Sequence, residues 1–184
     1  MDHVGRDALE LGLEEIRRSP SDRGLIELIV RRPVDNEREL LDEAEIDTSV
    51  GLIGDCWPRK VTSQTHDGSP HPDAQLTLMN SRVASLVARD PERRQLAGDQ
   101  LYVDLDLSAA NLPPGTRLRA GSAVIEVTAL PHRGCGKFTA RFGVDAAKFV
   151  NSRVGRELNL RGVNARVVQG GRVRLGDLIE KAAR

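Results

Sequence analysis

The stretch Pro131-His132-Arg133-Gly134-Cys135-Gly136-Lys137-Phe138 holds a lone thiol between two glycines, with His132, Arg133 and Lys137 within three residues of it. Nearby cations and a helix start favour thiolate over thiol, and the thiolate is the form that attacks electrophiles and binds soft metals. Glycine on either side lets the backbone turn sharply and lets a ligand come close. The opposing reading makes Cys135 a small packed hydrophobe, since free cysteine is among the most buried residue types.

Two segments must position that thiol. Ala123 to Leu130 is an apolar run that reads as a buried strand, and Phe138 to Phe142, a break at Gly143, and Asp145 to Val150 read as two helical pieces. Further strands are expected at Leu25 to Val30, near 39–46, at Gln75 to Met79, from Leu101 to Leu107, at Arg117 to Arg119, at Val163 to Val168 and at Arg172 to Leu175. Gly51 to Asp55 reads as a turn, Gly121-Ser122 and Gln169-Gly170-Gly171 read as hairpin turns, and Gly176-Asp177 leads into a short tail. Residues 6–18 carry Leu9, Leu13 and Ile16 at helical spacing, Asn80 or Ser81 can cap a helix to about Ala88, and Asp90-Pro91-Glu92 opens another. Residues 56–74 form a long polar loop, a feature of binding and catalytic sites. Short strands outnumber short helices, so the expected fold is mostly β, a β-barrel with a few short packed α-helices. The expected division is a helical extension over 1–23 and a barrel domain over 24–184. Leu101, Val103, Leu105, Val124, Val127, Val163 and Val167 are expected in the core.

Lys plus Arg and Asp plus Glu both number 27 in 184 residues, so net charge is zero. That balance argues against a general nucleic-acid or acidic-membrane binder and leaves room for a local basic pocket. With aromatics at 3%, few platforms exist for stacking single-stranded nucleic acid. No apolar run approaches membrane-spanning length, and Met1 to Asp7 lacks a basic-then-apolar secretory pattern. Cys56 and Cys135 are too few for a disulfide framework, and the expectation is a reduced, cytoplasmic protein.

Several short segments, taken in order, resemble the MOSC domain, the module found at the C-terminus of molybdenum cofactor sulfurases and as free-standing proteins. They are Gly54-Asp55, Gln75 to Leu78, Gly98-Asp99-Gln100-Leu101, the strand pair from Pro113 to Val127, the cysteine stretch itself, and Ala165-Arg166-Val167 with Gly170 and Gly176-Asp177. The resemblance spans roughly 24–179 and departs at three places: His132 stands where the family often has Arg, Gly134 where it has Pro, and Asp99-Gln100 where it has Glu-Asn. It implies a barrel-like fold and a Cys135 that ligates molybdenum or carries sulfur as a persulfide. The implied cofactor is the molybdenum cofactor (molybdopterin), the implied activity a molybdenum-dependent reduction of N-hydroxylated compounds or a sulfur transfer. The implied partners are a small-molecule substrate or cofactor and a cysteine desulfurase or redox protein. The alternative is a non-catalytic binding or regulatory barrel with an inert Cys135. A pterin cofactor carries an anionic phosphate, for which His132, Arg133, Lys137, Arg141 and Arg161 are candidate contacts, and Lys137 and Arg141 share a helix face at i, i+4. Asp55 is either a site residue or the holder of its own turn. Cys56 is either a packed residue or a resolving thiol. His3, His66, His71 and His132 have no zinc-ligand spacing, and no nucleophile elbow or phosphate-binding glycine loop is present.

Overall fold

Alternating apolar side chains build the strands, but several strands here are apolar on both faces, and that decides the architecture. The computed structural model describes residues 3–182; Met1, Asp2, Ala183 and Arg184, at the outer ends of the expected 1–23 and 24–184 segments, lie outside the described residues. The strands are β1 (Arg23–Arg31), β2 (Glu39–Leu41), β3 (Glu43–Asp47), β4 (Gly51–Leu52), β5 (Leu76–Asn80), β6 (Leu101–Val103), β7 (Arg117–Ala120), β8 (Ala123–Val127), β9 (Val163–Gln169), β10 (Gly171–Arg174) and β11 (Leu178–Lys181). Seven of them close into a barrel in the order β1, β11, β7, β8, β9, β5, β6 and back to β1, with β2 added on β1. All neighbours are antiparallel except β5 and β6. A parallel pair needs a crossover, which α3 (Ser81–Ala88) and a 3-10 turn at Pro91–Ala97 supply. The fold is mostly β, as the strand count predicts.

Ile26, Leu76, Leu78, Leu101, Val103, Leu118, Ile125, Ala165 and Ile179 fill the barrel. The intervening Val30, Met79 and Tyr102 point outward into a second apolar layer. There they meet Leu9 of α1 (Arg6–Leu11), Ile16 of α2 (Leu13–Arg17), Val83 and Val87 of α3, and Phe138, Phe142, Phe149 and Val150 of α4 (Gly136–Asn151), which leads to α5 (Arg153–Glu157). Asn80 caps α3 by accepting hydrogen bonds from the Arg82 and Val83 N–H groups. Helices on one flank of the barrel therefore explain why β5 is buried along its whole length.

The structure corrects the sequence reading in several places. The Gly170-Gly171 pair does not make a hairpin: β10 leaves β9 and pairs with β3, which also pairs β4, in a separate three-stranded sheet. These glycines serve close approach, because a Cβ on Gly170 would stand 2.9 Å from the Ile46 carbonyl oxygen and one on Gly171 2.6 Å from the Ala123 nitrogen. The segment after Gly176-Asp177 is β11, which closes the barrel, rather than a tail. Gly51 and Leu52 form β4 instead of opening a turn, and 39–46 divides into β2 and β3. β6 ends at Val103, although Leu105 and Leu107 remain in the core. Val124 is only half-buried, because Ala123, Ile125 and Val127 are the inward residues of β8.

The expected break at Gly143 is present within α4, at φ 88° and ψ 168°. Only glycine occupies that region cheaply; another residue costs of order 1–3 kcal/mol. Gly143→Ala is expected to lower unfolding free energy by about that amount in chemical denaturation. An unchanged midpoint would assign the break to packing instead.

Candidate functional site

At one end of the barrel, charged residues that a strand pattern would place in solvent are buried. Arg32, directly after β1, is 7% exposed and Asp55, after β4, is 1% exposed. Arg32 donates to Asp55 from Nε at 2.8 Å and from Nη2 at 2.7 Å, and its backbone N–H donates to the same carboxylate at 3.0 Å. The Trp57 N–H adds a fourth donor at 2.9 Å, and Arg32 Nη1 reaches the Gly98 carbonyl at 2.9 Å. Burial pushes the Asp55 carboxyl up, but the Arg32 hydrogen bonds and charge outweigh it and hold the group below the usual carboxylate range.

The Gly98-Asp99-Gln100 segment that opens β6 is the second anchor. Asp99 Oδ2 accepts from Arg161 Nη1 at 2.6 Å, and Arg161 Nη2 donates to the Ala97 carbonyl at 2.9 Å. The Arg161 guanidinium stacks 5.1 Å from the Phe138 ring centre. Gln100 Oε1 accepts from the Thr77 N–H and hydroxyl at 2.8 and 2.7 Å, and Gln100 Nε2 donates to the Gln75 carbonyl at 3.2 Å. The longer Gln100 is thus fully used as an internal strut, while the shorter Asp99 spends Oδ2 on Arg161 and leaves its buried Oδ1 without a hydrogen-bond partner.

These struts frame a cavity of about 400 Å³ whose walls include Arg32, Arg38, Cys56, Trp57, Lys60, His132, Cys135, Lys137, Phe138, Arg141 and Arg161. Of the residues the sequence singles out, it gathers His132, Cys135, Lys137, Arg141 and Arg161. Arg133 is exposed and does not line it, and Asp55 stands behind the wall as the partner of Arg32. Asp55 also holds its own turn, by accepting from Trp57 two residues on. Cys56 lines the cavity half-buried. A more open concavity of about 890 Å³ lies along β7, β10 and β11, but its Arg119, Arg172 and Arg174 are paired with Glu180 and Glu43.

Sequence reasoning missed Arg32, Arg38 and Lys60. Arg32-Pro33 reads only as a strand stop, and nothing in a charge pattern says that an arginine after a strand turns inward. Lys60 had a signal, since it sits in the 56–74 loop. The cations differ in what neutralises them. Lys137 is paired with exposed Asp35 at 2.6 Å, while Arg38, Lys60 and Arg141 have no carboxylate partner among the described residues. Arg141 donates to the Leu96 carbonyl at 2.8 Å and to Asn36 Oδ1 at 3.1 Å. Burial, then the Arg141 and Arg32 charges, lower the Arg38 pKa; burial and Arg32 lower that of Lys60.

Cys135 is exposed at the cavity lip, immediately before α4, so it is not a packed core residue. Partial burial pushes its thiol up, but the Phe138 and Lys137 N–H groups and the Arg161 charge more than compensate and hold it below the ordinary thiol value. His132 is driven the other way: burial first, then Arg161, lower its pKa to about 3 against the opposing pull of Asp99, so the ring is neutral at physiological pH. No group of His, Cys, Asp and Glu among the described residues could by itself hold a metal ion. No helix among them is long and apolar enough to cross a membrane.

The MOSC domain family model matches residues 65–180, which includes Cys135 and is narrower than the 24–179 of the segment-by-segment resemblance. No curated protein matches the chain. Among solved structures, YuaD protein from Bacillus subtilis aligns with a TM-score of 0.63 at 16% identity over 88% of this chain and 97% of its own. YiiM from Escherichia coli aligns at 0.57 and 22% identity over 88% and 70%. YiiM from Geobacillus stearothermophilus aligns at 0.54 and 13% identity over 89% and 74%. At these identities the likeness is one of fold, and it extends to the segments before residue 65.

Asp55→Asn is expected to destabilise the protein by about 3–5 kcal/mol at neutral pH, because Arg32 is left buried and unpaired. Since Asp55 is depressed in the folded state, its stabilisation is complete above the unfolded carboxylate value of about 4 and is lost as pH falls through the lower folded value. The gap between wild type and variant in denaturant unfolding should therefore stay constant from about pH 5 to 8 and shrink below about pH 4. Cys135 should react with a chromogenic disulfide in the native protein, half-maximally below the free-thiol value of about 8.5. Labelling only after denaturation would overturn its placement at the lip.

Proposed function

This chain belongs to the MOSC domain family, which is associated with molybdenum cofactor binding, and on that premise we propose that the cavity binds the cofactor with Cys135 as its thiolate ligand. One observation carries the reading: a cavity with a surplus of donors faces a soft, ionisable sulfur. Arg38, Lys60 and Arg141 line it without a carboxylate partner among the described residues, and the buried Nε atoms of Arg38 and Arg161 have no hydrogen-bond partner. Orphaned cationic donors are costly unless an anion completes them. The phosphate of molybdopterin is such an anion, and a depressed thiol is a fitting ligand for a soft metal. The residues present therefore suit the group. Arg38, Lys60 and Arg141 hold its phosphate, and Arg32 and Arg161, locked by Asp55 and Asp99, keep the walls in place. Bound there, the cofactor supplies a two-electron redox centre suited to reducing N-hydroxylated compounds.

A second reading rests on the openness of the lip. Cys135 is exposed, and a Cβ on Gly136 would meet nothing within 4 Å, so a partner protein can reach the sulfur. In that reading Cys135 carries a persulfide received from a cysteine desulfurase, and the cations stabilise its anionic form. A redox protein is the corresponding partner in the first reading.

Protein purified from a host that makes the cofactor should contain molybdenum near one atom per chain, and Cys135→Ser should lose it. Sulfane sulfur without metal would favour the carrier instead. Stability of Cys135→Ser should stay within about 1 kcal/mol of wild type, as for a surface change. Arg38→Ala and Arg141→Ala should weaken retention relative to wild type, most at low salt and less as salt screens the lost charge, whereas Arg133→Ala, outside the lining, should not. Equal molybdenum and sulfur contents in wild type and Cys135→Ser would leave the inert-barrel alternative standing.

A further inference from the structure

The cavity's lining is rich in cationic donors that cannot accept, and His132 stands among them with an orientation that a buried neighbour fixes. His132 Nδ1 lies 3.5 Å from Asp99 Oδ1. Both atoms are buried, and neither has another partner. Asp99 spends its other oxygen on Arg161. A carboxylate oxygen can only accept, so the complementary arrangement puts the ring proton on Nδ1, directed at Asp99. The neutral ring then carries its lone pair on Nε2. That nitrogen makes no hydrogen bond within the protein and is absent from the buried unpartnered atoms, so it is the one open to solvent. His132 lines the cavity. Arg161, Arg32 and Lys60 all oppose a positive charge on the ring, and Asp99 is the one acid that favours it.

We propose that His132, oriented by Asp99, is a specificity-determining acceptor: it makes the cavity select anionic ligands that also present a heterocyclic N–H donor to Nε2. This rests on the reading of the cavity as a cofactor site and deepens it, because a pterin ring offers amide and amino N–H donors that a bare phosphate cannot spread across the pocket. The arginines and lysines read the charge of the ligand, and His132 reads the heterocycle. Arginine or lysine at this position could not do so, since neither can accept.

The test uses the full-length chain and two probes, neopterin 3′-monophosphate and inorganic phosphate, with binding followed by calorimetry. His132→Leu should weaken the pterin phosphate by about tenfold, the equivalent of one lost hydrogen bond, and leave inorganic phosphate unchanged. His132→Gln keeps a neutral acceptor and should stay within about threefold of wild type. His132→Arg, which replaces the acceptor with a cationic donor, should weaken the pterin phosphate and tighten inorganic phosphate, so the inference remains testable if the leucine variant does not fold. Equal losses for both probes, or no loss for the pterin phosphate, would overturn the assignment of His132 while leaving the cavity an anion site. Failure of wild type to bind either probe would overturn both.

Discussion

The pairing of Arg32 with Asp55 is the constraint on which the site depends. Two charges taken out of water are expensive to bury, and the attraction between them compensates only when the geometry is good and the remaining donors and lone pairs are used. Here one carboxylate receives three N–H groups of Arg32, the Trp57 N–H and, at 3.5 Å, the Gln100 amide, and the guanidinium has a third outlet in the Gly98 carbonyl. The three contacting segments follow β1, follow β4 and precede β6. None can shift without stranding a buried charge, so they behave as one rigid wall. Asp99 and Arg161 repeat the device between the entrances to β6 and β9, and Gln100, next to Asp99, ties that wall to β5 through Thr77.

Those pairs also explain how a chain with no net charge makes a cationic pocket. Arg32 and Arg161 are neutralised by acids behind the wall, and Lys137 by an exposed acid at the rim. Arg38, Lys60 and Arg141 are left over, close enough that Arg38 feels both Arg141 and Arg32. Mutual repulsion among them is a local conflict that folding alone would not favour. Such conflicts between local energetics and global fold are expected where a ligand resolves them.

The sequence discloses the barrel through its strand count and through β8, whose apolar run leads straight to the cysteine. It discloses the break at Gly143 because the helical pattern on either side is separately legible. It does not disclose that Gly170-Gly171 belongs to a close crossing, since the same two residues serve a hairpin equally well, and only the partner strand distinguishes the two. Nor does it disclose Val124, because a strand apolar at consecutive positions does not say which of them face inward. The site divides in the same way. Cys135 and His132 are visible from their neighbours in sequence, whereas Arg32 and Arg38 reach the cavity through contacts distant in sequence. Arg133 shows the limit of proximity: it is two residues from the thiol and yet is exposed and does not line the cavity.

The seam between β1 and β11 has a kinetic consequence. It pairs Arg23, Gly24 and Leu25 with Glu180, Ile179 and Leu178, almost the whole described chain apart. Loop-closure entropy must be overcome before such a contact stabilises anything, so folding should be slow for a domain of this size. On the ribosome the barrel cannot close until residues 178–181 emerge, and until then β1 and, once it has been made, β7 present open edges. An unpaired edge is a template for intermolecular strand pairing, which makes the nascent chain, rather than the native barrel, the aggregation-prone species.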